Sequence, residues 1–211
     1  MVIRMEEPRD YFNVESMIKR AFWNVNAPGC DEHYLTHCLR RHPDYLPGLS
    51  RVLERDGQII AAVFYARACL VDDSGYEKDI LTFGPLAVEP SFQRQGYGKA
   101  LLAHTFEAAK AQGYDAIVIF GHPGNYVSRG FVSCRRKNIS LKNGAFPTAM
   151  LVKELVPGAL DSRHWYYRES AAYDVDPAGY DAFDQAFEQY VPKTEPRQEE
   201  FYIYSHSALN A

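Results

Sequence analysis

The sequence predicts a mixed α/β fold, a central mixed β-sheet flanked by helices (α+β in its segregation of elements), with a C-terminal extension. Three observations carry this. Elements alternate as strand, helices, three strands, helix, strand, short helix and strands, the order of helices covering one sheet. Asp56-Gly57 between two apolar runs is a hairpin signal. Ala116–Phe120 is short and wholly apolar, as expected of a strand buried inside a sheet.

Residues 2–5 (VIRM) read as a first strand. Asp10 is placed to cap a helix reaching Phe22, with Val14, Met17, Ile18 and Ala21 on one face. Asn26 to Gly29 breaks the chain, and a second helix spans Asp31 to Arg41 before Pro43. Its apolar stripe is read as Tyr34, Leu35, Cys38 and Leu39. Strands Ser50–Arg55 and Gln58–Leu70 follow, then a turn at Asp72 to Gly75 and a strand Ile80–Val88 interrupted by Gly84-Pro85. Proline cannot donate to a strand ladder, so that pair marks a break or bulge. Gly96 to Gln112 is a helix with Leu101, Leu102, Phe106 and Ala109 on one side. Gly121 to Arg129 is a turn with a short helix, and Thr148–Leu155 is a late strand.

Beyond Pro157 the composition shifts to Tyr, Asp and Glu. The expected division is therefore a domain over 1–156 and an aromatic, acidic extension over 157–211, packed on the domain or at a homodimer interface. Within it, Tyr180, Phe183, Phe187 and Tyr190 at helical spacing predict a helix near 180–190. Phe201–Tyr204, after a polar linker Pro192–Glu200, reads as strand-like.

With 46% hydrophobic and 24% charged residues the chain reads as an ordinary soluble globular protein. A net charge of −4 and a single short basic run, Arg135-Arg136-Lys137, argue against a nucleic-acid partner. No apolar run is long enough for a membrane span, and MVIRMEEPRD has no signal-peptide core, so no membrane partner and a cytoplasmic location are expected. Cys30, Cys38, Cys69 and Cys134 form no CxxC pair, which suits a reducing compartment. Cys30, His33, His37 and Cys38 crowd nine residues, but His37 and Cys38 point about 100° apart on a helix. No metal is expected, and Cys38, in the apolar stripe, reads as core.

The chemistry lies in Leu86-Ala-Val-Glu-Pro-Ser-Phe-Gln93-Arg-Gln-Gly96-Tyr-Gly98-Lys-Ala-Leu-Leu102. A strand runs out at Val88, and two glycines open a helix. A helix N-terminus presents unpaired N–H groups and favours negative charge. Gly96 and Gly98 let a diphosphate approach the backbone. Arg94 and Lys99 put cations where helices ordinarily carry acids, which calls for an anionic partner. A Walker loop fails because Ala100 follows Lys99 and Gln93 stands where its first glycine belongs. A dinucleotide fingerprint fails at Leu101 and at the missing acid after the next strand. Gln93-x-x-Gly96-x-Gly98 fits a Q/R-x-x-G-x-G/A loop.

On these residues the segment resembles the coenzyme A loop of the GNAT acetyltransferase superfamily. Gly121–Phe131 (GHPGNYVSRGF) resembles a GDPxYYxRFGF-like segment of one bacterial branch of predicted N-acetyltransferases. The resemblance implies a GNAT-like sheet whose fourth and fifth strands splay at Gly84-Pro85 to admit acetyl-CoA. It implies that backbone groups of Leu86, Ala87 and Val88 pair with the pantetheine arm. Gln93, Arg94, Gln95, Gly96, Tyr97, Gly98 and Lys99 form the pyrophosphate cradle, Asn125 touches the cofactor, and Val88 N–H stabilises the oxyanion. Tyr126 protonates the leaving thiolate. The glutamate many members carry before the Leu-Ala-Val triplet is absent, since Gly84 and Pro85 stand there. His122 is then a candidate base; a water chain or capture of neutral amine are alternatives. The implied activity is direct acetyl transfer to a primary amine of a small molecule or peptide. A coenzyme A-binding module without turnover, or transfer of a longer acyl chain, are the other readings.

Overall fold

The computed structural model describes residues 1–161 and 163–210. In chain order the elements are β1 (Val2–Arg4), α1 (Tyr11–Phe22), α2 (Glu32–Leu39), β2 (Arg51–Arg55), β3 (Gln58–Asp72), β4 (Glu77–Val88), α3 (Tyr97–Ala111) and β5 (Ala116–Phe120). They continue as α4 (Pro123–Tyr126), β6 (Val132–Ser133), β7 (Ile139–Ser140), β8 (Phe146–Pro147), β9 (Met150–Glu154) and β10 (Trp165–Arg168). The chain closes with α5 (Tyr180–Asp184), α6 (Pro196–Ser205) and β11 (Ala208–Leu209).

The main sheet runs β1-β2-β3-β4-β5-β9-β6, antiparallel except for the β4–β5 pair. It is the mixed sheet flanked by helices that the sequence predicts. Side-chain alternation on β3 builds a core on each face. Val63 and Tyr65 meet Leu101, Leu102 and Phe106 of α3. Ala62, Phe64 and Ala66 meet Val14, Met17 and Ile18 of α1 and Leu39 of α2. The Asp56-Gly57 turn has positive φ at both residues, as a tight hairpin with right-handed strand twist requires.

The β3–β4 ladder slips by one residue between Val63 and Tyr65, opposite Gly84 and Pro85, so the expected interruption is a bulge within one continuous strand. β4 also starts earlier than expected, at Glu77, because Lys78 and Asp79 still pair with Leu70 and Cys69.

Residues beyond 157 return to the sheet. β10 pairs with Cys69 to Asp72, the stretch of the β3 edge that β2 leaves open. An open edge of that length invites pairing with another chain, and β10 covers it. Further on the chain wraps around α1 and α2. Lys19 Nζ and His33 Nε2 both lie on Asp184 Oδ1, at 2.5 and 2.7 Å, and Phe187 stacks on Phe12 at 5.1 Å.

Three local expectations are corrected. Phe201–Tyr204 is not a strand but the second half of α6. Pro196 at the first turn and a reciprocal Glu195/Gln198 capping box start a helix inside what reads as polar linker. The helix near 180–190 is only α5, ending at Asp184. The buried face of α2 is His33, Thr36 and Leu39, while Tyr34, Leu35 and Cys38 are half-buried. The Lys19–Asp184 pair provides the polar partner that lets His33 sit in that core.

Candidate functional site

β4 and β5 pair at Leu81–Ile117 and nowhere beyond among the described residues. Beyond that pair no ladder joins the two strands, and the N-terminus of α3 lies against the end of β4. Gly96 caps that helix with φ 91°, a conformation that favours glycine, and Arg94 just before it has φ 60°. α3 has no side-chain cap and no acid in its first turn. Among the described residues the backbone N–H groups from Arg94 to Lys99 meet no protein acceptor. Such a row of free donors with aligned peptide dipoles is built for an anion. A Cβ on Gly98 would stand 3.4 Å from Val88 Cγ2, so the helix end lies against the end of β4.

The side chains of this loop hold its shape. Gln93 donates to the Val88 carbonyl at 3.1 Å, and Gln95 to the Ser91 carbonyl at 3.1 Å. Tyr97 stacks edge-on to Phe92 and its hydroxyl accepts from Arg55. Arg94 and Lys99 are exposed, beside the free N–H groups. Leu86, Ala87 and Val88 form the last residues of β4 along the gap.

The gap opens into a cleft of about 400 Å³. Phe83, Gly84, Pro85 and Leu86 of β4 form its floor, and His122, Asn125 and Tyr126 one wall. Tyr126 is clamped between Phe83 (5.9 Å between centroids) and Phe131 (5.6 Å). Its ring lies so close to Gly121 that a Cβ there would stand 2.6 Å from it, which requires glycine. Burial pushes the Tyr126 phenol up to about 12. Its hydroxyl has no protein hydrogen-bond partner among the described residues. His122 caps α4: its Nδ1 accepts the Gly124 N–H at 3.0 Å, and its ring meets Tyr204 edge-on at 4.8 Å. With Nδ1 an acceptor, the neutral ring carries its proton on Nε2 and has no free lone pair for a substrate.

The opposite wall comes from distant parts of the chain. α1 and the loop after it bring Phe22, Val25 and Asn26; α2 brings Glu32 and Leu35; α6 brings Phe201, Tyr204 and Ser205. Glu32 Oε1 accepts from the Asn26 amide at 3.0 Å, and no cation pairs with it among the described residues. Burial is the main reason its carboxyl rises to about 7, with Asp31 adding repulsion. Leu35 also lines a second chamber of about 520 Å³, whose other walls include Asp31, Tyr34, Tyr173, Tyr180 and Asp181. The two spaces meet near Gly84, whose carbonyl accepts the Tyr173 hydroxyl at 3.2 Å.

The Cys30/His33/His37/Cys38 group divides. His33 holds Asp184, with Cys30 Sγ 3.9 Å from its Nδ1, and His37 turns to Glu15 at 3.2 Å. Burial pushes the Cys30 thiol well above its ordinary range, so it is not an activated nucleophile. Among the described residues no group of three His, Cys, Asp or Glu side chains is arranged to hold a metal, and no helix is long and apolar enough to cross a membrane.

Sequence reasoning missed Glu32 and the three α6 residues. Glu32 follows a helix N-cap, where an acid is routine, so nothing in its neighbourhood distinguishes it.

Residues 13–134 match the Acetyltransferase (GNAT) family. The chain is 27% identical over 161 residues to the uncharacterized N-acetyltransferase YhbS of Escherichia coli strain K12, covering 76% of this chain and 91% of YhbS. The crystal structure of Escherichia coli YhbS in complex with CoA superposes with a TM-score of 0.70 at 24% identity, over 82% of this chain and 92% of that one. A GNAT family acetyltransferase from Brucella melitensis in complex with acetyl-CoA gives 0.63 at 23%, over 82% and 97%.

Proposed function

Because the chain belongs to the GNAT acetyltransferase family, we propose that it transfers the acetyl group of acetyl-CoA directly to a primary amine in the β4–β5 cleft. The observation that carries this is the junction of two features. A strand gap able to take an extended arm opens beside an uncapped helix end able to take a diphosphate. The coenzyme A and acetyl-CoA complexes of the two structural relatives support the same cofactor.

The pyrophosphate lies on the N–H groups of Arg94 to Lys99, with the Arg94 and Lys99 charges beside it. The pantetheine arm runs along Leu86, Ala87 and Val88 as an added strand, and Asn125 flanks it. This sets the thioester at the β4 bulge. The neutral amine attacks the carbonyl carbon, and a β4 backbone N–H, that of Val88, takes up the charge on the oxygen. As the C–S bond breaks, the proton lost from nitrogen reaches the sulfur by way of the Tyr126 hydroxyl. A phenol at about 12 stays protonated throughout the neutral range, so Tyr126 is always ready as a donor. Its phenolate is a stronger base than the thiolate it protonates, so it takes the amine's proton in the same step. The products are the N-acetyl amide and coenzyme A thiol.

The acceptor enters from the α2 side. Tyrosine faces and unpaired carboxylates in the second chamber suit an acceptor with a cationic body. Release of free thiol from acetyl-CoA across a panel of primary amines tests the proposal. Thiol release matched by amide product supports it, and tight acetyl-CoA binding without transfer to any amine overturns it.

A further inference from the structure

We propose that Glu32 is the general base of this transfer, taking the ammonium proton of the incoming amine and so freeing the nitrogen lone pair for attack. The inference rests on the acetyl-transfer reading and supplies the proton acceptor that β4 lacks.

Position is the first argument. Glu32 stands at the first turn of α2 and lines the same cleft as the β4 bulge and Tyr126. An amine between Glu32 and the thioester has its proton acceptor on one side and its electrophile on the other. The Asn26 amide fixes one carboxylate oxygen and leaves the group without a counter-charge.

Elimination is the second. Glu89, a buried glutamate at the end of β4, is held by Arg20 at 2.8 Å and does not line the cleft. The His122 Nδ1 lone pair holds the Gly124 N–H. Tyr126 and Tyr204 are donors at neutral pH, and both phenols are raised by burial. Glu32 is thus the one carboxylate on the cleft wall among the described residues.

Electrostatics is the third. Asp31, the N-cap of α2, and Cys30 before it adjoin Glu32, with Lys19 of α1 acting on Cys30; His122, Tyr126 and Tyr204 share the cleft. No lysine or arginine lines that cleft among the described residues. Burial and Asp31 both raise the proton affinity of the carboxylate, bringing it near neutrality, where a base is both ionised and strong enough to act. An arriving ammonium supplies the missing counter-charge. Its N–H bond breaks as the carboxylic O–H forms, and that proton leaves to water at the cleft mouth after product departs. The second amine proton travels to sulfur by way of Tyr126.

The test compares wild type, Glu32→Gln and Glu32→Asp by thiol release from acetyl-CoA with tyramine, 1,4-diaminobutane and glycinamide, from about pH 5.5 to 9. The ratio of variant to wild type cancels the amine's own ionisation. Glu32→Gln is expected to lower kcat/KM by about 100-fold above pH 7 and to abolish the rise through neutrality that wild type shows. Glu32→Asp retains that rise at a reduced rate. Acetyl-CoA affinity stays unchanged in both. Glu32→Gln also unfolds at a higher temperature than wild type at pH 8. A carboxyl raised by folding lowers stability as pH climbs from its ordinary 4.5 toward 7, and the amide removes that penalty. An unchanged pH profile in Glu32→Gln overturns the base role while leaving acetyl transfer intact. No thiol release by wild type with any of the amines overturns the transfer reading itself, and the base with it.

Discussion

The α3 side of the cleft presents backbone, and the α2 side presents side chains. On the first, free N–H groups come from successive residues, Arg94 to Lys99, on a loop set by two positive-φ positions. On the second, Glu32 and Leu35 of α2, Tyr173 and Tyr204 come from three separated segments and converge only when α5 and α6 are wrapped around α1 and α2. A backbone cradle tolerates side-chain change and suits one invariant ligand. A wall of converging side chains can be rebuilt one residue at a time, which suits an acceptor particular to this protein.

The comparison breaks most decisively at Asp184. Asp184→Asn leaves the buried Lys19 ammonium without its counter-charge, and losing one partner of such a pair costs about 3–5 kcal/mol. Thermal unfolding should show this loss, while calorimetry on the folded fraction should find coenzyme A affinity unchanged, because the cradle lies elsewhere. Acid exposes the same cluster in wild type. Burial lowers the His33 pKa, so folding favours the neutral ring; its contribution is present above 6.5 and is lost as pH falls below that value. Burial alone raises Asp184, but the hydrogen bonds of Lys19 and His33 outweigh it, and its contribution is lost only below 3.8. Glu32 shifts stability the opposite way over the same window, so the ring itself is the readout: a His33 imidazole that titrates by NMR at or above 6.5 in the folded protein contradicts the neutral His33.

Next in size is Tyr126→Phe. It removes a hydroxyl with no protein partner, so the fold stays intact. With Tyr126 as the proposed proton donor to the thiolate, the variant should lower kcat by about 100-fold, with acetyl-CoA affinity unchanged. Thiol release and a binding titration on the same preparation check both halves.

Gly96→Ala acts on the cradle alone. Holding a side chain at φ 91° costs about 1–2 kcal/mol, so the loop relaxes and the N–H groups lose alignment. Acetyl-CoA affinity should fall by about 10-fold, with turnover of the saturated enzyme near wild type. An equal loss in turnover would mean that the two sides of the cleft are coupled. The smallest effect belongs to Asp181→Asn, on the exposed rim of the second chamber. It should raise KM for 1,4-diaminobutane by about two- to fivefold, from roughly 0.5–1 kcal/mol of attraction, and leave glycinamide unaffected.

The segment from β4 to Phe131 was legible because local rules write it. Gly96 and Gly98 announce the cradle, Pro85 the bulge, and the apolar run at 116–120 a buried strand. The same rules misplaced α6, where aromatic residues at 201–204 outweighed the Glu195-Pro196-x-Gln198 helix start. They also misassigned the buried face of α2, because a histidine in a core is unexpected until Asp184 and Lys19 stand beside it.

By itself the sequence determined the order of elements through β5, the family and the backbone face of the cleft, because each depends on residues near one another in the chain. Only the tertiary structure decided the other face. It brought a half-buried carboxylate from α2 into the same cleft as a tyrosine from α4, left it without a cation among the described residues, and closed the space with a helix some 170 residues further on. Burial and convergence belong to the folded chain as a whole, and they alone turn an ordinary helix-start glutamate into a base poised near neutrality.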